Sequence, residues 1–330
     1  MTMIRTISLA GALALMALPA LAQVRLSHHF PPTHPSAQAI DAFAADVAAR
    51  TDGALTIEVF PAGQILSARD VMGGVAAGSV QMGVAVGLVS FPAMNRDYAI
   101  SALPGLFDSF ETLRGFFAET SEGQRIWSSL TTDLGLAVVG NIPSGPSAVY
   151  SAREDLSTAT SFQGASARVL TEADRARWEA LGVGRMVSVP TGEVYTALQS
   201  GMIDTLASVP GAVNSNSWWD FLNAVQLPWY VFADGHVLAN AAWFASLPAD
   251  HQQALTEAGA TMSAVTTAGI MAVAEAQIAQ FAAHGGQVFT LEGEELDALR
   301  ALDAEQVWPA MAAQLSPGVL EAALAYIAAR

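Results

Sequence analysis

The sequence predicts an α/β protein of two lobes, each closed around its own core. Three observations carry this expectation. Short apolar, strand-like runs alternate with segments of helical period from the start of the chain, the pattern of strand–helix–strand units. The 330 residues, 52% of them hydrophobic, suffice for two cores. Residues 249–283 contain no proline, and one helix of that length would reach about 50 Å, farther than a single lobe is wide.

Taken in order, the first 22 residues read as an export signal. Arg5 supplies a positive start, Ile7 to Leu18 an apolar run, and Ala20-Leu21-Ala22 a small-x-small cleavage site before Gln23. The run is short for a bilayer span, so cleavage after Ala22 is expected, with a retained anchor helix as the alternative. The chain has no cysteine, which excludes a lipid-anchored lipoprotein, disulfides and thiolate metal sites. The remaining chain of about 308 residues is expected to be soluble, in a bacterial periplasm.

Val24 to Phe30 reads as a strand. A helix follows with Pro35 in its first turn, Ile40, Phe43 and Val47 on one face, and Asp52-Gly53 at its end. Leu55, Ile57 and Val59 alternate with Thr56, Glu58 and Phe60 as in a strand. A helix near Ala68 to Ala77 leads to the apolar strand Val80 to Val86, which implies a largely parallel sheet covered on both faces. Gly135 to Ile142 is a further strand, and Pro143-Ser-Gly-Pro146 is a break where the chain would cross between lobes. These signals divide the chain into lobe I at 23–143, joined by part of 227–330, and lobe II at 144–226, with a return crossing around Leu227 to Asn240. Region 246–284 then starts at Ser246 and Pro248, lines one face with Ile270, Ala274, Ile278 and Phe281, and stops at Gly285-Gly286. It is either one helix spanning both lobes or two helices broken near Gly259 or Gly269.

All 14 basic residues are arginine, against 30 acids. That balance argues against nucleic acid or anionic lipid as a partner. No hydrolase elbow, metalloprotease helix, phosphate loop or dinucleotide fingerprint occurs, so no enzyme mechanism and no cofactor can be assembled. His28, His29 and His34 cluster, but adjacent strand residues face opposite ways, so no metal is expected and one of the pair would face a cleft. Of Trp218 and Trp219, one packs in a core and the other is open to a ligand role. Arg168 stands in the apolar run after Phe162-Gln-Gly. A guanidinium there needs an anion, either a carboxylate of its own lobe or one on a ligand.

Six stretches in order resemble the solute-binding proteins of TRAP (tripartite ATP-independent periplasmic) transporters, the group that includes C4-dicarboxylate binders. They are Leu26-Ser-His-His-Phe-Pro-Pro-Thr-His-Pro35, Ile57-Glu-Val-Phe-Pro-Ala-Gly-Gln64, Ala102-Leu-Pro-Gly-Leu-Phe107, the run from Phe162 to Arg168, Glu193-Val-Tyr-Thr-Ala-Leu-Gln-Ser-Gly-Met-Ile-Asp204, and Ser246-Leu-Pro-Ala-Asp-His-Gln-Gln-Ala-Leu255. The fifth is the most specific.

The resemblance implies a periplasmic-binding-protein clamshell with a long helix spanning both lobes. Its cleft would close on a small organic acid for delivery to the membrane permease subunits of a TRAP transporter, without itself entering the membrane. It implies that Arg168 pairs bidentately with the ligand carboxylate. Two departures matter. Ser208 stands where many members have a ligand-facing asparagine, and Ser147 where some have a second arginine. His29, Ser147, Arg168, Ser208, Trp218 and Trp219 are therefore the candidate ligand residues. With Val84-Ala-Val-Gly87 apolar, one arginine in an otherwise apolar cleft is expected, suited to a monocarboxylate. The alternatives are an ABC-type solute receptor, which lacks the Glu193-to-Asp204 signature, and a secreted hydrolase or isomerase.

Overall fold

A computed structural model describes residues 22–330. The export-signal reading lies outside these residues, apart from Ala22, where the first strand begins. Eleven strands follow in chain order: β1 (Ala22–Ser27), β2 (Leu55–Phe60), β3 (Met82–Val86), β4 (Leu136–Asn141), β5 (Gly145–Ser151), β6 (Ser166–Val169), β7 (Arg185–Ser188), β8 (Thr205–Ser208), β9 (Ala224–Ala233), β10 (Gly235–Asn240) and β11 (Gln287–Thr290). They form two sheets, ordered β2-β1-β3-β10-β4 and β11-β9-β5-β8-β6-β7.

Both sheets are mixed, the second with β11 parallel to β9 at its edge. β1 runs parallel to β2 and β3, but β10 is antiparallel to β3 and β4. In the second sheet β5 is antiparallel to β8 and β9, while β6 is parallel to β7 and β8. The reason is the two crossings. A strand entering a sheet directly from the other lobe has no crossover helix to turn it round, so it pairs against its neighbours. The first crossing is shorter than the Pro143–Pro146 break, because Gly145 and Pro146 already belong to β5. The second is the single residue Asp234 between β9 and β10, so the second lobe's sheet extends past 226 to Ala233 and also takes in β11. The crossings are laced together by Ile142 N–H to Gly235 O (2.8 Å) and Ser144 N–H to Ala233 O (2.8 Å).

Each sheet has its core. Val24, Leu26, Ile40, Phe43 and Val47 are buried under the first sheet, and Tyr150, Leu206, Val213 and Trp218 under the second. Residues Ala249–Ala283 form one unbroken helix. Leu255, Ala258 and Met262 enter the first core, and Ile278 and Phe281 the second. Gly259 does not break this helix; it lets it sit against β4. A Cβ there would lie 2.1 Å from the Val139 carbonyl oxygen, closer than any side chain tolerates. Ser263 Oγ accepts the Asn141 N–H at 2.7 Å, satisfying the outer edge of β4.

The long helix is also tied to the second crossing. Arg114, on the helix Phe110–Glu119, donates to both oxygens of buried Asp234 at 2.7 Å and through Nη1 to Thr267 Oγ1 at 2.9 Å. A bidentate pair with geometry this tight clasps the crossing to the helix at a point where both lobes meet.

Candidate ligand-binding site

A cavity of about 800 Å³ lies between the sheets, with walls from both lobes. The first lobe contributes the turn after β1 and the loop after β2. The second contributes the C-terminal ends of β6 and β8 and the strands β5 and β9 that flank the crossings. Ligands of α/β folds bind at such strand ends, where side chains project beyond the ladder.

Arg168 sits in β6 and is 3% exposed. Its Nε donates to Val189 O at 2.9 Å and its Nη2 to Thr191 Oγ1 at 3.0 Å, while the Trp218 ring lies 5.9 Å away. Trp178 Nε1 donates to the Arg168 carbonyl at 2.8 Å and fixes the strand beneath it. Among the described residues Arg168 forms no ion pair, so the intra-lobe carboxylate that the sequence left open is absent there. Burial pushes the Arg168 pKa down to about 10, opposed by the field of Asp174. The side chain therefore stays charged at neutral pH. A buried structural arginine looks different in this same lobe: Arg177 holds Asp303 through two bonds of 3.0 and 3.1 Å. Arg168 is a desolvated cation in a cavity wall whose direct hydrogen-bond partners are neutral and on which Asp174 acts only through its field, which is the electrostatic description of an anion site.

Of the other predicted residues, His29, Ser147, Ser208 and Trp218 line the same cavity. Ser147 is buried in β5, and Ser208 Oγ donates to the Val209 carbonyl at 3.3 Å. Trp219 does not reach the cavity. It stacks on His284 at 4.7 Å and lines a separate groove with Thr33 and Gln277, because the turn Trp218–Phe221 points neighbouring side chains apart. Trp218 combines the two roles that the sequence assigned to different tryptophans: it is a core residue and one edge of it meets the cavity.

Two of the three histidines pack on the Phe30 ring. His29 lies 4.2 Å and His34 4.6 Å from the Phe30 ring. His34 Nδ1 accepts the Ser36 N–H at 3.1 Å, capping the helix Pro35–Arg50, which leaves its buried Nε2 without a partner among the described residues. Burial lowers the pKa of His28 to about 4, His29 to about 4 and His34 to about 3, so all three rings are neutral at pH 7.

The sequence reading missed Arg69, Asp174, Tyr230 and His34 as cavity residues. Arg69 is exposed in a loop, where arginines are ordinarily solvated. Asp174 was hidden in the capping box Thr171-x-x-Asp174, and Tyr230 in an apolar strand. The signals available were the absence of an i±4 acidic partner for Arg69 and the proline-flanked position of His34. Together these residues correct the expectation of an otherwise apolar cleft with a single arginine.

Comparison with known proteins gives one consistent result. Residues 26–315 match the family model described as bacterial extracellular solute-binding protein, family 7. The C4-dicarboxylate-binding periplasmic protein DctP of Rhodobacter capsulatus is 29% identical over 265 residues, 76% of each chain. Among solved structures, the Bordetella pertussis extracytoplasmic solute receptor DctP7, which binds pyroglutamic acid, superposes with a TM-score of 0.82 at 22% identity, covering 93% of this chain and 99% of its own. A TRAP periplasmic solute-binding protein of Shewanella oneidensis with bound succinate gives the same TM-score of 0.82 at 22% identity, with 93% and 99% coverage.

Proposed function

Because the chain belongs to family 7 of the bacterial extracellular solute-binding proteins, we propose that it is the periplasmic substrate-capture subunit of a TRAP-type transporter and that Arg168 holds the carboxylate of a small organic acid. The observation that carries the reading is the buried, unpaired guanidinium of Arg168 in the wall of the inter-lobe cavity. A carboxylate accepts two parallel N–H bonds from a guanidinium, and closing the lobes over the pair removes water from both charges, which strengthens it.

Ser147, Ser208 and His29 supply neutral polar contacts, and Trp218 a flat apolar wall. Arg69 adds a second positive group from the opposite lobe. The lobes are taken as 22–143 with the segment after Asp234, and 144–233 with β11. The signal is cleaved after Ala22, and the loaded, closed form is handed to membrane permease subunits. The ligands of the related receptors, pyroglutamic acid and succinate, are carboxylic acids of the size class this reading requires.

A thermal-shift panel tests it. L-Pyroglutamate, succinate, lactate, galactonate and their uncharged amides are each added to the purified protein, and native mass spectrometry examines what co-purifies. At least one free acid is expected to raise the melting temperature, its amide is not, and the acid is recovered unchanged. Stabilisation by the amides alone, by none of the acids, or turnover of the bound acid would refute the reading.

A further inference from the structure

Asp174 caps its own helix with only one of its oxygens. Oδ2 accepts the backbone N–H groups of Leu170 at 3.1 Å and Thr171 at 2.9 Å, which closes the first turn of the helix Glu172–Ala180. Among the described residues the other oxygen, Oδ1, has a single long contact, accepting from the Tyr230 hydroxyl at 3.5 Å. A carboxylate has about four acceptor sites, so Oδ1 keeps most of its capacity, and Asp174 stands in the cavity wall together with Arg168 and Tyr230.

Arg168 and Asp174 are electrostatically coupled, yet they form no ion pair. A guanidinium and a carboxylate facing one cavity would ordinarily close on each other. Both belong to the second lobe, and each is held back by a different part of it: Arg168 by Val189 and Thr191, Asp174 by the helix N-terminus. Two opposite charges kept apart across shared space suit a molecule that carries an acceptor at one end and a donor next to it.

We infer that Asp174 is a specificity-determining residue that selects carboxylates bearing a hydrogen-bond donor, N–H or O–H, beside the carboxylate held by Arg168. The inference rests on the Arg168 reading. An acid without that donor would bring its own lone pairs or carbon against a partly desolvated carboxylate, leaving Asp174 Oδ1 unsatisfied. The selection therefore works by exclusion as well as attraction.

The test compares pairs that differ at one atom, by isothermal titration calorimetry on the whole mature protein. L-Pyroglutamate is set against its lactone counterpart, in which ring oxygen replaces N–H, and lactate against propionate, which lacks the hydroxyl. The first pair reads an N–H donor, the second an O–H donor. The donor-bearing member of at least one pair is expected to bind at least about tenfold tighter. In Asp174→Asn, whose amide can itself donate, that ratio is expected to fall below about threefold. Ala176→Gly weakens the same helix at a position outside the cavity, so it should lower the melting temperature and keep the ratio. A wild-type ratio near one in both pairs, a ratio unchanged in Asp174→Asn, a ratio lost equally in Ala176→Gly, or no binding of either donor overturns the inference. In the last case the Arg168 reading is judged separately by the wider acid panel.

Discussion

Replacing Arg168 by methionine separates a ligand-binding arginine from a structural one, because the two roles predict opposite balances of stability and affinity. Holding the guanidinium in its buried site lowers its pKa from the ordinary arginine range to about 10. At about 1.36 kcal/mol per pH unit this is a cost of roughly 3 kcal/mol carried by the ligand-free protein at neutral pH. The two hydrogen bonds to Val189 and Thr191 return about 1–3 kcal/mol each as bonds from a charged donor. The terms nearly cancel, so Arg168→Met should change unfolding free energy by no more than about 2 kcal/mol. Its effect on affinity is far larger. Two charge-assisted bonds to a carboxylate at roughly 1.5–3 kcal/mol each amount to about 3–6 kcal/mol, a loss of about 10²- to 10⁴-fold. Urea denaturation gives the first quantity and calorimetric titration of the best acid the second. Arg177→Met, which strands Asp303, serves as the contrast and should cost about 3–5 kcal/mol of stability. The reasoning fails if Arg168→Met destabilises as much as Arg177→Met, or if it keeps affinity within tenfold of wild type.

Gly259→Ala should destabilise the protein by about 1–3 kcal/mol in urea, despite alanine's better helix propensity, because the new Cβ meets the Val139 carbonyl at 2.1 Å; a rise in the urea midpoint would contradict the close packing of helix on β4. Buried His28, His29, His34 and His236 have pKa values lowered from 6.5 to about 4, 4, 3 and 4. The unfolded chain takes up these protons near pH 6.5 and the folded chain does not, so stability is full above pH 6.5 and is lost as pH falls toward 4, by up to about 3 kcal/mol per fully buried histidine. An unfolding free energy that stays flat between pH 7 and 4.5 would speak against it. Trp218 meets the cavity and Trp219 does not, so ligand-induced fluorescence change should survive Trp219→Phe and be largely lost in Trp218→Phe; the reverse pattern would misplace the cleft.

What could be read from the sequence follows period and punctuation. The alternation of Leu55, Ile57 and Val59, the proline at 35 and the glycines at 285 and 286 state local geometry directly, and of the two readings of region 246–284 the structure shows the single helix, over Ala249–Ala283. Strand direction could not be read in this way, because it depends on whether Ile142–Ser144 and Asp234 turn the chain or merely pass it across, and nothing in their side chains records that. The site divided along the same line. Arg168 stood out because a charge in an apolar strand is locally anomalous. Arg69 and Asp174 are each locally ordinary, one a loop cation and the other a capping residue. Their place in the cavity comes from tertiary approach of elements about 100 residues apart. The same holds for the tryptophans: adjacency in sequence said that they differ, not which one faces inward.

Between Met262 and Ala274 no residue of the long helix is fully buried, but Ser263, Thr267, Ile270 and Met271 tie it to β4, to Arg114 and to the apolar cluster around Tyr98 and Phe116. A change of angle between the lobes would therefore load a helix that is held along its length, at the first core, at the crossing and at the second core. A stiffer middle would shift affinity from outside the cavity: alanine at Gly269 has open space around its Cβ and favours a straighter helix. A substitution there, such as Gly269→Ala, would act on ligand affinity through the arrangement of the lobes alone, because that stretch of helix does not itself line the cavity.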